Sequence, residues 1–314
     1  LVFIIIPCIF FYLLIPTLPT QEDPIVFYSN QTKNDLRSTL LKAMSKAQKS
    51  IYMVMFGLSD SSIISMIKKK KSENLNINVF YDKRSSQYYL PKDIFYGIKQ
   101  SGGLLHQKLI CIDDEIVFIG SANMTRSSLS MHDNLVIGIY DSDLTNFVKT
   151  NAPFNSGRIS LYVGSQLLDF FLLPDKHNQA LNKLIEMVQS AQSSLYLVMF
   201  NLTHPILIEE IIKAYKRDLD VKVIVDFQSS KGCASKFIEK MKKAGVCVQI
   251  NNGPQLMHHK YLYIDNKTLI TGSTNWTKAA FKRNKDCLLI VNNLTDKQRL
   301  FMKKLNKVLL LESK

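Results

Sequence analysis

One pattern occurs twice in this chain, 152 residues apart, and it restricts the fold more than any other feature. The first copy runs His106-Gln107-Lys108, four residues, Asp113, six residues, Gly120-Ser121-Ala122-Asn123. The second runs His258-His259-Lys260, four residues, Asp265, six residues, Gly272-Ser273-Thr274-Asn275. Both read H-x-K-x4-D-x6-G-S-x-N without a gap, and six fixed positions match by chance in roughly one chain in a million of this length. The duplication extends beyond the motif. Ala47 to Phe56 aligns with Ala191 to Phe200 at a shift of 144, and Asn78 to Asp82 aligns with Lys222 to Asp226 at the same shift. The shift then grows to 152, so the second half carries eight extra residues around Gly232 to Gly253.

The elements repeat in the same way. A polar-faced helix (about Thr32 to Lys46; about Lys176 to Ser190) precedes an apolar run rich in β-branched and aromatic residues. A second helix follows (about Ser61 to Lys71; Pro205 to Lys216, with Pro205 suited to a first turn), then a strand, a helix and the motif. Continuous apolar runs alternating with helices imply strands buried on both faces, hence an α/β protein with two mixed sheets. The breaker-rich run Asn151 to Gly157 divides the halves, giving 21–155 and 156–314.

Residues 1–20 are expected to form a separate segment. Leu1 to Ile15 carries no charge and includes Phe3, Phe10, Phe11 and Tyr12, with Pro7 interrupting it. A spanning helix needs about 20 apolar residues, so the segment suits a signal-peptide core or a short anchor set off by the Pro16 to Pro24 linker. It implies a protein that is membrane-associated or exported through this segment.

A net charge of +14 over 314 residues points to an anionic partner, phospholipid headgroups or nucleic acid. The Lys68 to Lys71 run falls at a helix end, where cations complement the dipole. Five cysteines, odd in number and without a CxxC, read as mostly buried free thiols, Cys111 and Cys287 in apolar strands above all, and no metal site is expected.

Within each motif, His and Lys two apart on a strand share a face. The glycine allows close backbone approach, and Ser and Asn add neutral hydrogen-bonding groups. Such a set fits an anion, phosphate best. One half supplies an incomplete site; two halves face to face bring His106 and His258 to one substrate. A neutral imidazole can attack phosphorus, and a protonated one can donate to the departing alcohol.

On these residues the chain resembles the phospholipase D superfamily, bacterial phospholipase D-like proteins among it, over nearly everything after the N-terminal segment. The resemblance implies two similar mixed-sheet α/β halves packed pseudo-symmetrically, with one active site at their interface. It implies two-step phosphodiester hydrolysis or transfer with no metal or other cofactor. His106, Lys108, His258 and Lys260 are then catalytic, and Ser121, Asn123, Ser273 and Asn275 bind the phosphate. Asp113 and Asp265 are implied to serve structure. Many members carry an acidic partner for the imidazole 28 positions after the histidine; the second half has Asp286 there, the first Asn134, with Asp133 one residue earlier. A carboxylate favours the imidazolium more than an amide does. His258, oriented by Asp286, is therefore the expected proton donor and His106 the nucleophile.

His259 is expected on the opposite face, and His132, His177 and His204 lack motif context. Met53, Met55, Met131, Met199 and Met257 are expected to fill packing gaps, and Trp276 to pack. Hydrolysis of phospholipids to phosphatidic acid and free headgroup is favoured, because the hydrophobic segment implies a membrane and the basic surface suits anionic lipids. A nuclease is the alternative: Gly272 to Asp286 looks like small bacterial endonucleases and mitochondrial cardiolipin hydrolases of the superfamily, and Lys278, Lys282, Arg283 and Lys285 suit a nucleic-acid backbone. Phosphatidyl transfer, as in cardiolipin or phosphatidylserine synthesis, uses the same intermediate. Two intact motifs argue against a phosphate-binding scaffold. A phospholipid membrane surface is the favoured partner and nucleic acid the other; no obligate protein partner is implied, and a monomer suffices for one active site.

Overall fold

The computed structural model describes residues 16–86 and 90–314. The first half forms seven strands: β1 (Ile25–Tyr28), β2 (Ser50–Met55), β3 (Asn76–Asp82), β4 (Phe95–Ile98), β5 (Lys108–Ile112), β6 (Ile116–Gly120) and β7 (Val136–Tyr140). The second forms eight: β8 (Gly157–Val163), β9 (Gln166–Leu172), β10 (Ser194–Met199), β11 (Asp220–Asp226), β12 (Cys247–Asn251), β13 (Lys260–Ile264), β14 (Thr268–Gly272) and β15 (Cys287–Val291). Their orders are β4-β3-β2-β5-β6-β7-β1 and β12-β11-β10-β13-β14-β15-β9-β8, the same sequence with β8 added. Pairs β2–β3, β3–β4, β10–β11 and β11–β12 are parallel and the others antiparallel, so both sheets are mixed. This is the mixed-sheet α/β fold the duplication predicts.

The helices are α1 (Leu36–Lys46), α2 (Ser61–Ser72), α3 (Arg126–Ser130), α4 (Ser142–Asn151), α5 (Gln179–Ser190), α6 (Pro205–Lys216), α7 (Phe227–Lys231), α8 (Ser235–Lys243), α9 (Lys278–Lys282) and α10 (Asp296–Leu311). α1 and α5 start later than their polar faces predict. Single 3-10 turns at Asn30–Thr32 and Lys176–Asn178 precede them, and positive φ at Lys33 (66°) and at His177 and Asn178 (64° and 53°) breaks the helical path. Asp35 then caps α1 by accepting from the Ser38 amide. Between β3 and the first motif the described residues form β4 and no helix, contrary to expectation. The helices α7 and α8 belong to the second half, where the eight extra residues lie.

The two sheets share a core. Val54, Leu109 and Cys111 of the first half and Val198, Tyr261 and Leu289 of the second fall in one buried cluster. Each sheet's other face packs beneath its own helices, in clusters that include Met53 and Leu40, and Leu197 and Leu184. Burial on both faces explains why these strands are uninterrupted apolar runs. Each buried Leu contributes about 1.5–3 kcal/mol. Met53, Met55, Met199, Met257 and Trp276 are buried as expected, whereas Met131 is 54% exposed. Among the described cysteines Cys111 and Cys287 are buried as expected, whereas Cys233 and Cys247 are exposed; Cys8 lies outside the described residues.

The expectation of a membrane-associated or exported protein is corrected. Among the described residues no helix is long and apolar enough to cross a membrane. The longest described helix, α10, has 16 residues and carries Lys297, Arg299, Lys303, Lys304 and Lys307. Leu1 to Ile15 lies outside the described residues.

Candidate active site

The histidines of the two motifs lie on the lead-ins to β5 and β13, and each lead-in pairs with the opposite half. The His106 amide donates to the Lys285 carbonyl at 2.8 Å, and the His258 amide donates to the Asp133 carbonyl at 2.9 Å. Short parallel bridges, Leu105 with Lys285 and Asp133 with Met257, continue this pairing. The two imidazoles are thus held at the seam by backbone from both halves. Lys108 and Lys260 open their strands, and each Nζ donates to the carbonyl of its own histidine, at 2.7 and 2.8 Å.

The motif glycines make room. A Cβ on Gly120 would lie 2.3 Å from the Leu135 carbonyl oxygen, and one on Gly272 (φ 141°) would lie 2.3 Å from that of Cys287. That closeness lets the following serines reach across. Ser121 Oγ donates to Asn134 Oδ1 at 2.8 Å, and Ser273 Oγ donates to Asp286 Oδ1 at 2.6 Å. Both serines, expected around the phosphate, are fully buried and hold the partners of the histidines.

Those partners are crossed. His106 Nδ1 donates to Asp286 Oδ1 at 2.8 Å, and His258 Nδ1 donates to Asn134 Oδ1 at 3.1 Å. Asn134 Nδ2 is committed to the Ser128 carbonyl at 2.9 Å, so its oxygen faces the imidazole. Asp286 therefore orients His106, not His258 as its spacing within one half suggested. The physical reason is the seam: the +28 residue follows the segment that pairs with the other half's lead-in, so it meets the other half's ring. Both Nδ1 atoms carry their hydrogen toward an acceptor, which leaves each Nε2 with its lone pair.

Two residues missed by motif reasoning complete the floor. The rings of Phe56 and His106 lie 5.2 Å apart and those of Phe200 and His258 5.0 Å apart. Lys108 Nζ stands 5.2 Å from the Phe56 centroid, and Lys260 Nζ 5.0 Å from that of Phe200. Their signal was present, since both phenylalanines end the duplicated stretch. Asn123 Oδ1 accepts from the Gly57 amide at 3.2 Å, whereas Asn275 Oδ1 is buried with no hydrogen-bond partner among the described residues. Asp113 and Asp265 lie at the far ends of β5 and β13 with positive φ (54° and 50°), and their carboxylates cap the backbone of Lys49 and Ser50 and of Ser193 and Ser194. His259 is buried, with Nε2 bound to Gln31 Oε1 at 2.6 Å. His204 is buried against Phe281.

The site concentrates positive charge in a buried place. Burial lowers the His106 pKa, Lys108 adds to that, and Asp286 opposes it. His258 is held well below its ordinary value by burial, then by Lys260, Lys108 and His106. Burial brings Lys108 down to about 8, and burial with Lys108 holds Lys260 well below the usual lysine range. Burial pushes the Asp286 carboxyl up, but His106, Ser273 and Lys108 outweigh it and hold it below the ordinary value. The mutual influence of His258, His106, Lys108 and Lys260 marks one shared site built from both motifs. Two buried lysines and two open imidazole nitrogens together have the chemistry to receive an anionic group, whose charge would favour the cationic form of each. Among the described residues no cluster of His, Cys, Asp and Glu has the makings of a metal site. A cavity of about 430 Å³ opens beside His106, lined by Arg84, Asn201, Asn275, Thr277 and Arg283 among others.

Over residues 40–152 and 184–308 the chain matches the family described as "Cardiolipin synthase, PLD-like domain". It is 34% identical over 116 residues to mitochondrial cardiolipin hydrolase of Xenopus laevis, covering 37% of this chain and 55% of that protein. It is 30% identical over 110 residues to phospholipase D of Rickettsia typhi, covering 35% of this chain and 53% of that one. The chain spans about half the length of these curated relatives. Among solved structures, phosphatidylserine synthase of Haemophilus influenzae Rd KW20 aligns with a TM-score of 0.76 at 16% identity, covering 95% of this chain and 88% of that one. At that identity the likeness concerns the fold.

Proposed function

The chain belongs to the phospholipase D superfamily, and from that premise we propose that it is a phosphodiesterase hydrolysing phospholipids to phosphatidic acid and free headgroup through a phosphohistidine at the seam of its halves. The observation that carries the reading is the crossed pair: His106 Nδ1 on a carboxylate of the other half at 2.8 Å, His258 Nδ1 on a neutral amide at 3.1 Å.

The roles follow from that difference. With Nδ1–H on Asp286, the Nε2 lone pair of His106 attacks phosphorus and forms the P–N bond. The imidazole becomes cationic as it does so, and the Asp286 carboxylate stabilises that charge, as a buried aspartate does beside a catalytic imidazole. His258 delivers a proton to the leaving oxygen as the P–O bond breaks. Its pKa is low while the site is empty, but an anionic phosphate between Lys108 and Lys260 offsets the charges that depress it, so the bound complex takes up the proton. Neutral His258 then accepts a proton from water, which attacks phosphorus and breaks the P–N bond. Lys108, Lys260, Asn123 and Asn275 hold the equatorial oxygens. This reading keeps His106 as nucleophile for a reason opposite to the spacing argument.

Phospholipid is the favoured substrate because the curated relatives at 30% identity or more carry the names phospholipase D and cardiolipin hydrolase. The test offers the full-length protein phospholipid vesicles and single-stranded DNA, with chelator, and quenches at alkaline pH for mass spectrometry. Headgroup release with intact DNA and a phosphoryl adduct on His106 is the expected result. DNA cleavage without headgroup release would move the substrate to nucleic acid, and an adduct on His258 would reverse the two roles.

A further inference from the structure

The duplication separates what the chemistry needs from what the substrate needs. Groups required to cleave any phosphodiester recur in both halves: His, Lys, Ser, Asn and the aromatic floor. Groups present at one mouth alone serve something else. The cavity beside His106 is lined by two guanidinium groups, Arg84 and Arg283, and by no carboxylate. At the shifts of 144 and 152, Arg84 corresponds to Gln228 and Arg283 to Met131, while neighbouring Lys285 corresponds to Asp133. The opposite mouth therefore lacks every one of these cations.

The two arginines differ in how they are held. Arg84 is fixed by the buried Asp82, at 3.1 Å from Nε and 2.8 Å from Nη2, and by the Gly103 carbonyl at 2.6 Å from Nη2. Nη1 takes no part in these bonds. Arg283 is exposed at the end of α9 and makes no ion pair among the described residues. Asn284, between them, is committed to the Leu104 amide at 3.1 Å and fixes the loop against α9. At about 430 Å³ the cavity lies within the range of roughly 300–1,000 Å³ usual for small-molecule sites and exceeds what one phosphate fills. Asp82 already balances the charge of Arg84, so Arg84 offers its uncommitted Nη1 as a donor and Arg283 supplies the unbalanced cation, and the two together suit an oxyanion.

We propose that this cleft is a second-anion subsite, taking a phosphate or carboxylate that the substrate carries beside its scissile phosphodiester, so that phospholipids with a second anionic group are preferred. The lipid part rests on the phospholipid reading above; the anion part rests on the cleft alone.

The two parts are tested separately on the full-length protein. Calorimetry compares methylenediphosphonate with methylphosphonate. The wild type is expected to bind the two-phosphonate probe at least tenfold more tightly, and Arg283→Ala to bring that ratio close to one. Arg84→Gln, which copies the other mouth, is expected to lower it in the same direction. Equal binding of both probes by the wild type, or a ratio that survives both substitutions, overturns the subsite. Vesicles then compare lipids whose second group is a phosphate, a carboxylate or absent. A kcat/KM ratio favouring one or both anionic lipids, lowered about tenfold by Arg283→Ala, supports the assignment and identifies the anion. If Arg283→Ala leaves that ratio unchanged, the preference does not arise at this cleft. If the probes discriminate but no lipid is cleaved, the phospholipid reading fails while the anion site stands.

Discussion

His106 and His258 occupy equivalent places in two copies of one motif, at equivalent distances from Phe56 and Phe200, yet their Nδ1 partners are a carboxylate and an amide. The difference is larger than it looks, because each partner belongs to the other half. Asp286 is the second half's contribution to the first half's ring, and Asn134 is the first half's contribution to the second's. A duplicated fold thereby builds an asymmetric site without moving a strand: a difference at one aligned position puts a carboxylate beside one imidazole and a neutral amide beside the other.

The strongest way to break this comparison is to remove the rings one at a time. His106→Asn and His258→Asn should each lower headgroup release by roughly 10⁴-fold or more, since residues acting as a unit fail together. They should separate on an ester with a good leaving group, such as a nitrophenyl phosphodiester. There His258→Asn retains the adduct, because the leaving oxygen needs no proton, while His106→Asn forms none. Identical behaviour of the two variants would mean that the halves do not divide the labour.

A smaller effect comes from exchanging the partners. Asp286→Asn removes the charge that raises the His106 pKa, so the acid limb of the kcat/KM profile moves to lower pH. It also removes stabilisation of the cationic intermediate, for a loss on the order of 10²–10³-fold in kcat. An Asp286→Asn enzyme with an unshifted acid limb would mean that the limb does not report His106. Next in size is a pH effect on binding. Lys108, brought down to about 8 by burial, is charged below that pH and neutral above it. The phosphate loses a cation as pH rises, so KM should climb by up to about tenfold between pH 8 and 9, and a flat KM across that interval would remove Lys108 from the phosphate's shell.

The sequence carried the fold and the two motifs that meet at the seam because both are written in repeated local patterns. Apolar runs buried on two faces announced β2, β5, β10 and β13, and six fixed residues announced the two motifs. The crossing escaped because it exists only between halves. Counting 28 positions from His258 finds Asp286 in the right strand but not which ring it faces, and that depends on Leu105 pairing with Lys285 across the seam. The contacts of the serines escaped for the same reason, since their hydroxyls donate to Asn134 and Asp286, the residues that cross the seam. The helix expected before the first motif and absent among the described residues is a different failure: the eight-residue difference between halves was visible, but not that α7 and α8 would precede β12 while the described residues before β4 form no helix.

The smallest expected effect concerns the position at which one half carries Lys285 and the other its sequence counterpart Asp133. Asp133 is 5% exposed, its Oδ2 has no hydrogen-bond partner among the described residues, and burial, with Glu312 and Asp226 nearby, raises its pKa to about 7. Because the folded state holds this proton more tightly than the unfolded chain, stability falls as pH rises from about 4 to 7 and is flat above that range. Asp133→Asn has no charge to bury, so its advantage over the wild type grows across that window. At pH 8 it should amount to about 1–2 kcal/mol, a few degrees in Tm, and at pH 5 to clearly less. The backbone carbonyl of residue 133, which accepts from the His258 amide, is unaffected by the change, so turnover should move far less than in Asp286→Asn. The same Tm gain at both pH values would mean that residue 133 does not titrate. The contrast between the two mouths would then lie in their cations alone.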